Sequence, residues 1–175
     1  MSSFLPVFLV IFVPYFVHFA QVVHINTGMY YTIFNRLLET QGYDRWEFEY
    51  NNVVQCIFPI GKIKNAEWFP YEFLENFNLQ DHHLIGAETI PAGTLLEGHI
   101  DHIRKSNLLI NVGKQASVFH HNNDIKETVS IAPSEMLLLN TRKLHGSDNT
   151  DTYDYHFLTI NTRQHYQATK EYLGV

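Results

Sequence analysis

The stretch "LIGAETIPAGTLLEGHID", residues 84–101, contains two short apolar runs separated by Pro91-Ala92-Gly93 and followed by a histidine and an aspartate. Apolar runs of this length that are bounded by Pro and Gly are typical of strands joined by a turn. Six further runs follow without an intervening helical pattern: "NLLINV", "SVFHH", "TVSIA", "MLLLN", "KLHGS" and "YHFLTIN". Eight evenly spaced strands predict a mainly β protein, a double-sheet jelly roll, rather than parallel βαβ units.

Two helices are predicted before these strands. The segment "TGMYYTIFNRLLETQG", residues 27–42, has a helical apolar period, with Thr27 as a candidate N-cap and Gly42 as the stop. Its apolar face consists of Met29, Ile33, Phe34, Leu37 and Leu38. A second, short helix is predicted from Pro70 onward, because proline suits the first turn of a helix. Its apolar residues are Tyr71, Phe73, Leu74 and Phe77.

The chain length of 175 residues fits one domain with a substantial core. Within residues 1–175 we expect N-terminal strands and helices over 1–83, the β core over 84–161 and a tail over 162–175. The apolar start is ambiguous, because its first charged residue is Arg36, yet Pro6 and Pro14 interrupt it and no basic residue precedes it. We therefore favour buried strands over Phe4–Phe19 in a cytoplasmic protein, rather than a membrane span or a signal peptide.

The charge and cysteine content restrict the partners. The net charge is −6 and the basic residues form no long cluster, which argues against nucleic acid and favours a small-molecule or peptide substrate. Cys56 is the single cysteine of the chain, so any metal site must use histidine and carboxylate ligands.

His99 and Asp101 form a candidate metal site at the end of the second predicted strand. Residues two apart in a strand point to the same face, and His145 in the seventh strand supplies a third ligand. Two imidazoles and one carboxylate on one face are the ligand set of non-haem Fe(II) oxygenases. The alternative is a core histidine at position 99 with Asp101 in a turn.

Two stretches around these residues carry a family resemblance. "IPAGTLLEGHID" and "IAPSEMLLLNTRKLHGSDN" resemble the metal-binding strands of the double-stranded β-helix oxygenases dependent on Fe(II) and 2-oxoglutarate. "HIDHIRKSNLLINVG" is similar in particular to small phage-type and aspartyl-hydroxylase-like members. The resemblance spans roughly Leu84 to Asn161. It implies a hydroxylase that uses Fe(II), 2-oxoglutarate and molecular oxygen on an amino acid, peptide or small molecule, with His99, Asp101 and His145 as the metal ligands and catalytic centre.

The sequence departs from this family at the residue that binds the distal carboxylate of 2-oxoglutarate. The family places an arginine or lysine about ten positions after the distal histidine, where this chain has Tyr155 and His156. Lys114, in the turn after the third predicted strand, is our first substitute, because another branch of this superfamily supplies a lysine from its fourth strand. Arg104 and His156 are the other substitutes. We call the residue that binds this carboxylate the cosubstrate anchor. Three possibilities remain: an oxygenase whose cosubstrate anchor lies elsewhere in the chain, an oxygenase with another cosubstrate, or a metal-binding or inactive barrel that serves as a binding module. The spacing from His145 to Asn149 also fits the second motif of cupins, which share the barrel.

Overall fold

The chain folds into strands with a few short helices, as seen in a computed structural model. The structure describes residues 9–10, 20–22, 27–40, 46–50, 52–102, 104–121, 128–162, 168–169 and 171. The elements of the first half are β1 (Leu9–Val10), β2 (Ala20–Val22), α1 (Thr27–Glu39), β3 (Trp46–Tyr50), β4 (Val53–Pro59), α2 (Ile60–Ile63) and α3 (Tyr71–Asn76). The eight strands that follow are β5 (Leu84–Ile90), β6 (Thr94–His99), β7 (Ser106–Asn111), β8 (Ser117–His121), β9 (Thr128–Ile131), β10 (Met136–Leu139), β11 (His145–Asn149) and β12 (Tyr155–Thr162).

These strands form two antiparallel sheets. The major sheet has the order β1-β2-β10-β7-β12-β5-β4-β3, and the minor sheet has the order β6-β11-β8-β9. From β5 onward the chain passes back and forth between the sheets, which is the connectivity of a jelly roll, or double-stranded β-helix. The predicted fold class is therefore confirmed, and each of the eight predicted strands has a counterpart from β5 to β12.

Two hydrophobic clusters lie on opposite faces of the major sheet. Because side chains alternate along a strand, Leu158 and Ile160 of β12 face the helices, whereas Tyr155 and Phe157 face the minor sheet. The outer cluster packs α1, α2 and α3 onto the sheet, and the inner cluster fills the barrel. This alternation decides which side chains of a strand can reach the barrel interior.

The N-terminal half departs in places from the sequence-based expectations. Leu38 and Tyr71, both expected on apolar faces, are exposed by 36% and 69%, because Tyr30 and Phe73 take the inward positions on their helices. The β3–β4 hairpin and α2 were not predicted from the sequence. Most of Phe4–Phe19 lies outside the described residues, apart from β1, which pairs with β2. None of the described helices is long and apolar enough to cross a bilayer.

Candidate metal centre

His99, Asp101 and His145 converge at one end of the barrel. His99 ends β6, and its partner across the antiparallel pair is His145, the first residue of β11. Asp101 follows β6 rather than belonging to it, and its backbone N–H donates to the Thr141 carbonyl at 2.8 Å. Its carboxylate oxygens lie 3.8 Å from His99 Nε2 and 3.9 Å from His145 Nε2. One strand pair and one loop therefore bring the three predicted ligands together.

The spacing of the donor atoms fits a shared divalent ion. All three lie within 4.8 Å of one another. Metal–ligand bonds of about 2.0–2.2 Å would place neighbouring ligand atoms roughly 3 to 3.5 Å apart. Binding would therefore require only a small inward movement of side chains that already point at a common centre.

Backbone carbonyls fix the tautomers of both histidines. His99 Nδ1 lies 2.9 Å from the Glu97 carbonyl, and His145 Nδ1 lies 2.9 Å from the Lys143 carbonyl. A carbonyl only accepts, so each Nδ1 carries the hydrogen and each Nε2 of a neutral ring presents its lone pair to the centre. Burial is the main effect that lowers the pKa of His145, which favours the neutral, ligating form.

Arg104 holds the Asp101 carboxylate in place. Arg104 Nε lies 2.8 Å from Asp101 Oδ2, and the same guanidinium donates to Asn161 Oδ1 at 2.9 Å. The loop that carries both residues is held by Thr141, whose hydroxyl donates to the Arg104 carbonyl at 2.9 Å. Because Arg104 pairs with Asp101 Oδ2, the other carboxylate oxygen, Oδ1, faces His99 Nε2 and can bind a metal ion.

Gly146 allows β11 to pass close to β6 beside His145. A Cβ atom at this position would lie 2.5 Å from the Leu96 carbonyl oxygen, well inside any normal contact. The strand register also shifts here, between His145 and Ser147. A residue without a side chain is therefore needed where the ligand-bearing strands meet.

We expect Gly146→Ala to destabilise the protein and weaken its metal binding. The added methyl group must push β11 away from β6, which costs about 1–3 kcal/mol for an overpacked site and separates His145 from His99. Thermal denaturation and a Zn(II) titration measure the two effects. Leu95→Ala, at an exposed position of β6, is the control. Wild-type stability and wild-type metal affinity in Gly146→Ala would contradict this account of the strand pair.

A cavity of about 100 Å³ opens from the centre into the barrel. Its apolar walls come from both sheets, and Tyr50 of β3 flanks the opening with its ring 6.4 Å from that of His99. At about 10–15 Å³ for each water-sized group, the space suits a molecule of roughly seven to ten such groups. The lining side chains are Tyr50, Val53, Gln55, Glu88, Leu96, His99, Arg104, Asn107, Leu109, Phe119, Leu139 and His145.

Of the residues considered as a cosubstrate anchor, Arg104 lines this cavity and the other three do not. Lys114 lines a separate cavity with Tyr31 and Ser134, beyond the opposite end of β7. His156 faces the helices, with its ring 5.4 Å from that of Phe34 and its Nδ1 3.2 Å from Thr89 Oγ1. Tyr155 is buried in the inner cluster, and its hydroxyl donates to Asp151 Oδ2 at 2.7 Å.

Three polar residues of the cavity were not anticipated from the sequence: Gln55, Glu88 and Asn107. Each lies on a strand that is otherwise apolar or buried, and the exposed fraction is 8% for Gln55 and Glu88 and 4% for Asn107. A carboxylate inside the apolar run "LIGAETI" is itself a signal, because charged groups are seldom buried without a reason. That signal marks Glu88 as a candidate functional residue.

Neither the family models nor the curated proteins that were compared match this sequence. Among solved structures, a variant of oxalate decarboxylase from Bacillus subtilis has a TM-score of 0.48 and 15% identity, with 75% of this chain and 30% of that one covered. A cupin superfamily protein from Desulfitobacterium hafniense DCB-2 has a TM-score of 0.38 and 13% identity, with coverage of 49% and 72%. An uncharacterised protein with a double-stranded β-helix domain from Klebsiella pneumoniae has a TM-score of 0.39 and 11% identity, with 46% of this chain and 67% of that one covered. The strand order of this chain carries its fold assignment, and its activity has to be inferred from the site.

Proposed function

We propose that this protein is a non-haem Fe(II) oxygenase that uses 2-oxoglutarate as cosubstrate and hydroxylates a small molecule, amino acid or peptide. The observation that carries the proposal is the convergence of two imidazoles and one carboxylate beside an internal cavity. This ligand set leaves coordination positions free for other molecules, as in Fe(II) oxygenases. Such an enzyme places one atom of O2 in the substrate and the other in succinate, and releases the 2-oxo acid carboxyl group as CO2.

The residues around the centre suit this role. His99, Asp101 and His145 would hold the ion, which when bound supplies the redox chemistry and the site where cosubstrate and oxygen meet. The backbone carbonyls of Glu97 and Lys143 keep both Nε2 atoms directed at the ion. The apolar walls of the cavity exclude bulk water, which protects reactive species from side reactions.

Arg104 is the residue that we propose as the cosubstrate anchor. Among the described residues that line the cavity, it is the one with a permanent positive charge. Arg104 Nε pairs with Asp101, and one terminal nitrogen donates to Asn161. The remaining N–H groups of the guanidinium are able to pair with a carboxylate. The anchor would then lie on the loop after β6 instead of on β12.

A second candidate function is a cupin-like metal-dependent protein that does not use 2-oxoglutarate. Glu88 favours it, because a carboxylate that lines the cavity opposes the entry of a dicarboxylate. This candidate shares the metal centre and differs only in what binds beside it.

Succinate release separates the two candidates. We expect Fe(II)-loaded protein that is incubated aerobically with 2-oxoglutarate to release succinate without the prime substrate, because some turnover is uncoupled from hydroxylation. Asp101→Ala provides the blank. Equal succinate from both proteins, together with no calorimetric binding of 2-oxoglutarate to the anaerobic Fe(II) form, would favour the second candidate.

A further inference from the structure

Glu88 is a buried carboxylate that the proposed chemistry of the metal centre does not use. It lies on β5 opposite Gln55 of β4 and Phe157 of β12, so its side chain points into the barrel. Its side chain lines the cavity that opens from the centre, and the residue is 8% exposed. Burying a carboxylate in such surroundings is costly unless a partner compensates it.

The protein supplies only part of that compensation. Gln55 Nε2 donates to Glu88 Oε2 at 2.7 Å, which leaves Oε1 for another donor. No ion pair joins Glu88 to a cation within the described parts of the chain. Burial raises the pKa of Glu88, and the positive charge of Arg104 acts against this rise. A positively charged group in the cavity would stabilise the ionised carboxylate.

Asn107 provides a second, independent indication that the cavity binds a polar ligand. It lines the same cavity and is 4% exposed. Its Oδ1 is buried and, within the described structure, accepts no hydrogen bond. Buried acceptors without a partner are uncommon in folded proteins, and a polar group in this cavity would satisfy this one.

We infer that Glu88 binds the amino group of a small amine in this cavity, so that Glu88 determines the specificity of the site. In the candidate function without 2-oxoglutarate, the Arg104 guanidinium that lines the same cavity is available to the carboxylate of the ligand, so free amino acids are the class of amine that pairs with both Arg104 and Glu88. An ammonium group offers N–H donors, one of which Glu88 Oε1 accepts, and a positive charge that compensates the carboxylate. The inference rests on the proposed metal centre and on the second candidate function, in which Arg104 does not bind 2-oxoglutarate.

The test uses Zn(II)-loaded protein and calorimetry with two matched sets of probes. The first set is the common L-amino acids, and the second is the corresponding 2-hydroxy acids, in which a hydroxyl replaces the amino group. We expect at least one amino acid to bind, and its hydroxy acid to bind at least about ten-fold more weakly. Because amino acids also chelate zinc, the decisive comparison is between wild type and Glu88→Gln.

Glu88→Gln keeps the size of the side chain and an acceptor for Gln55, and we expect it to weaken amino-acid binding roughly ten- to a hundred-fold. Glu49→Gln, which removes an exposed negative charge on β3, should leave binding unchanged. Glu88→Met serves as a second variant of similar length if Glu88→Gln does not fold. Absence of binding by every amino acid, or an unchanged preference for amino over hydroxy acids in Glu88→Gln, would overturn the inference. Zinc stoichiometry is measured first, so a failure of the metal site is seen separately from a failure of amine recognition.

Discussion

Replacing Asp101 with alanine is expected to abolish stoichiometric binding of a divalent metal ion. The variant leaves two imidazoles without the anionic donor that sits between them, and it leaves the Arg104 guanidinium uncompensated 2.8 Å from the former carboxylate position. Both changes disfavour a cation at the centre. Asp101→Asn, which keeps the shape and removes the charge, should give the same loss.

The change in Tm on addition of Zn(II) measures this loss of metal binding. A ligand at a hundred times its Kd stabilises the folded state by about 2.7 kcal/mol, and each kcal/mol raises the Tm of a chain of this size by about 2–4 °C. Wild type should therefore gain about 5–11 °C when Zn(II) is added to metal-free protein, and both Asp101 variants should gain almost nothing. Asp148→Ala, in β11 outside the cluster, is the matched control and should respond like wild type. Full zinc stoichiometry in Asp101→Ala would refute the assignment of this ligand.

The second large effect is expected for Arg104→Gln. Removing the guanidinium takes away the charge that we assign to the cosubstrate carboxylate, and the loss of such a charge-assisted contact is worth about 1.5–3 kcal/mol. At saturating metal, 2-oxoglutarate should therefore bind roughly ten- to a hundred-fold more weakly. The metal itself should also bind more weakly, because the partner that orients Asp101 is lost.

Calorimetry on the Zn(II)-loaded variant separates these two effects, because metal affinity is measured first and cosubstrate affinity afterwards. Lys114→Ala and His156→Ala are the controls, since neither side chain lines the cavity of the centre. Wild-type affinity for 2-oxoglutarate in Arg104→Gln, together with a loss in Lys114→Ala, would assign the carboxylate to Lys114 instead.

The strands of the barrel were predictable from the sequence because their signals are local. Runs such as "MLLLN" and turns such as Pro133-Ser134 lie within a few residues of each other, and Ser134 has the positive φ of 71° expected in a tight turn. The β3–β4 hairpin was missed, although "WEFEY" alternates apolar and acidic residues in the manner of a half-exposed strand. The missed hairpin matters because it contributes Gln55 and Tyr50 to the cavity.

The sequence by itself determined the eight strands, their jelly-roll class and the three residues of the candidate metal centre. His99 and Asp101 are near neighbours in the chain, so no tertiary information was needed to place them together. His145 followed from its place in the seventh predicted strand and from the resemblance. Only the tertiary structure decided which of Arg104, Lys114, Tyr155 and His156 reaches the cavity. One position along β12 separates Tyr155 inside the barrel from His156 on its outer face, and the strand pairing sets that choice. Glu88 became a candidate for ligand binding for the same reason, because the pairing of β5 with β4 and β12 turns its carboxylate toward the centre.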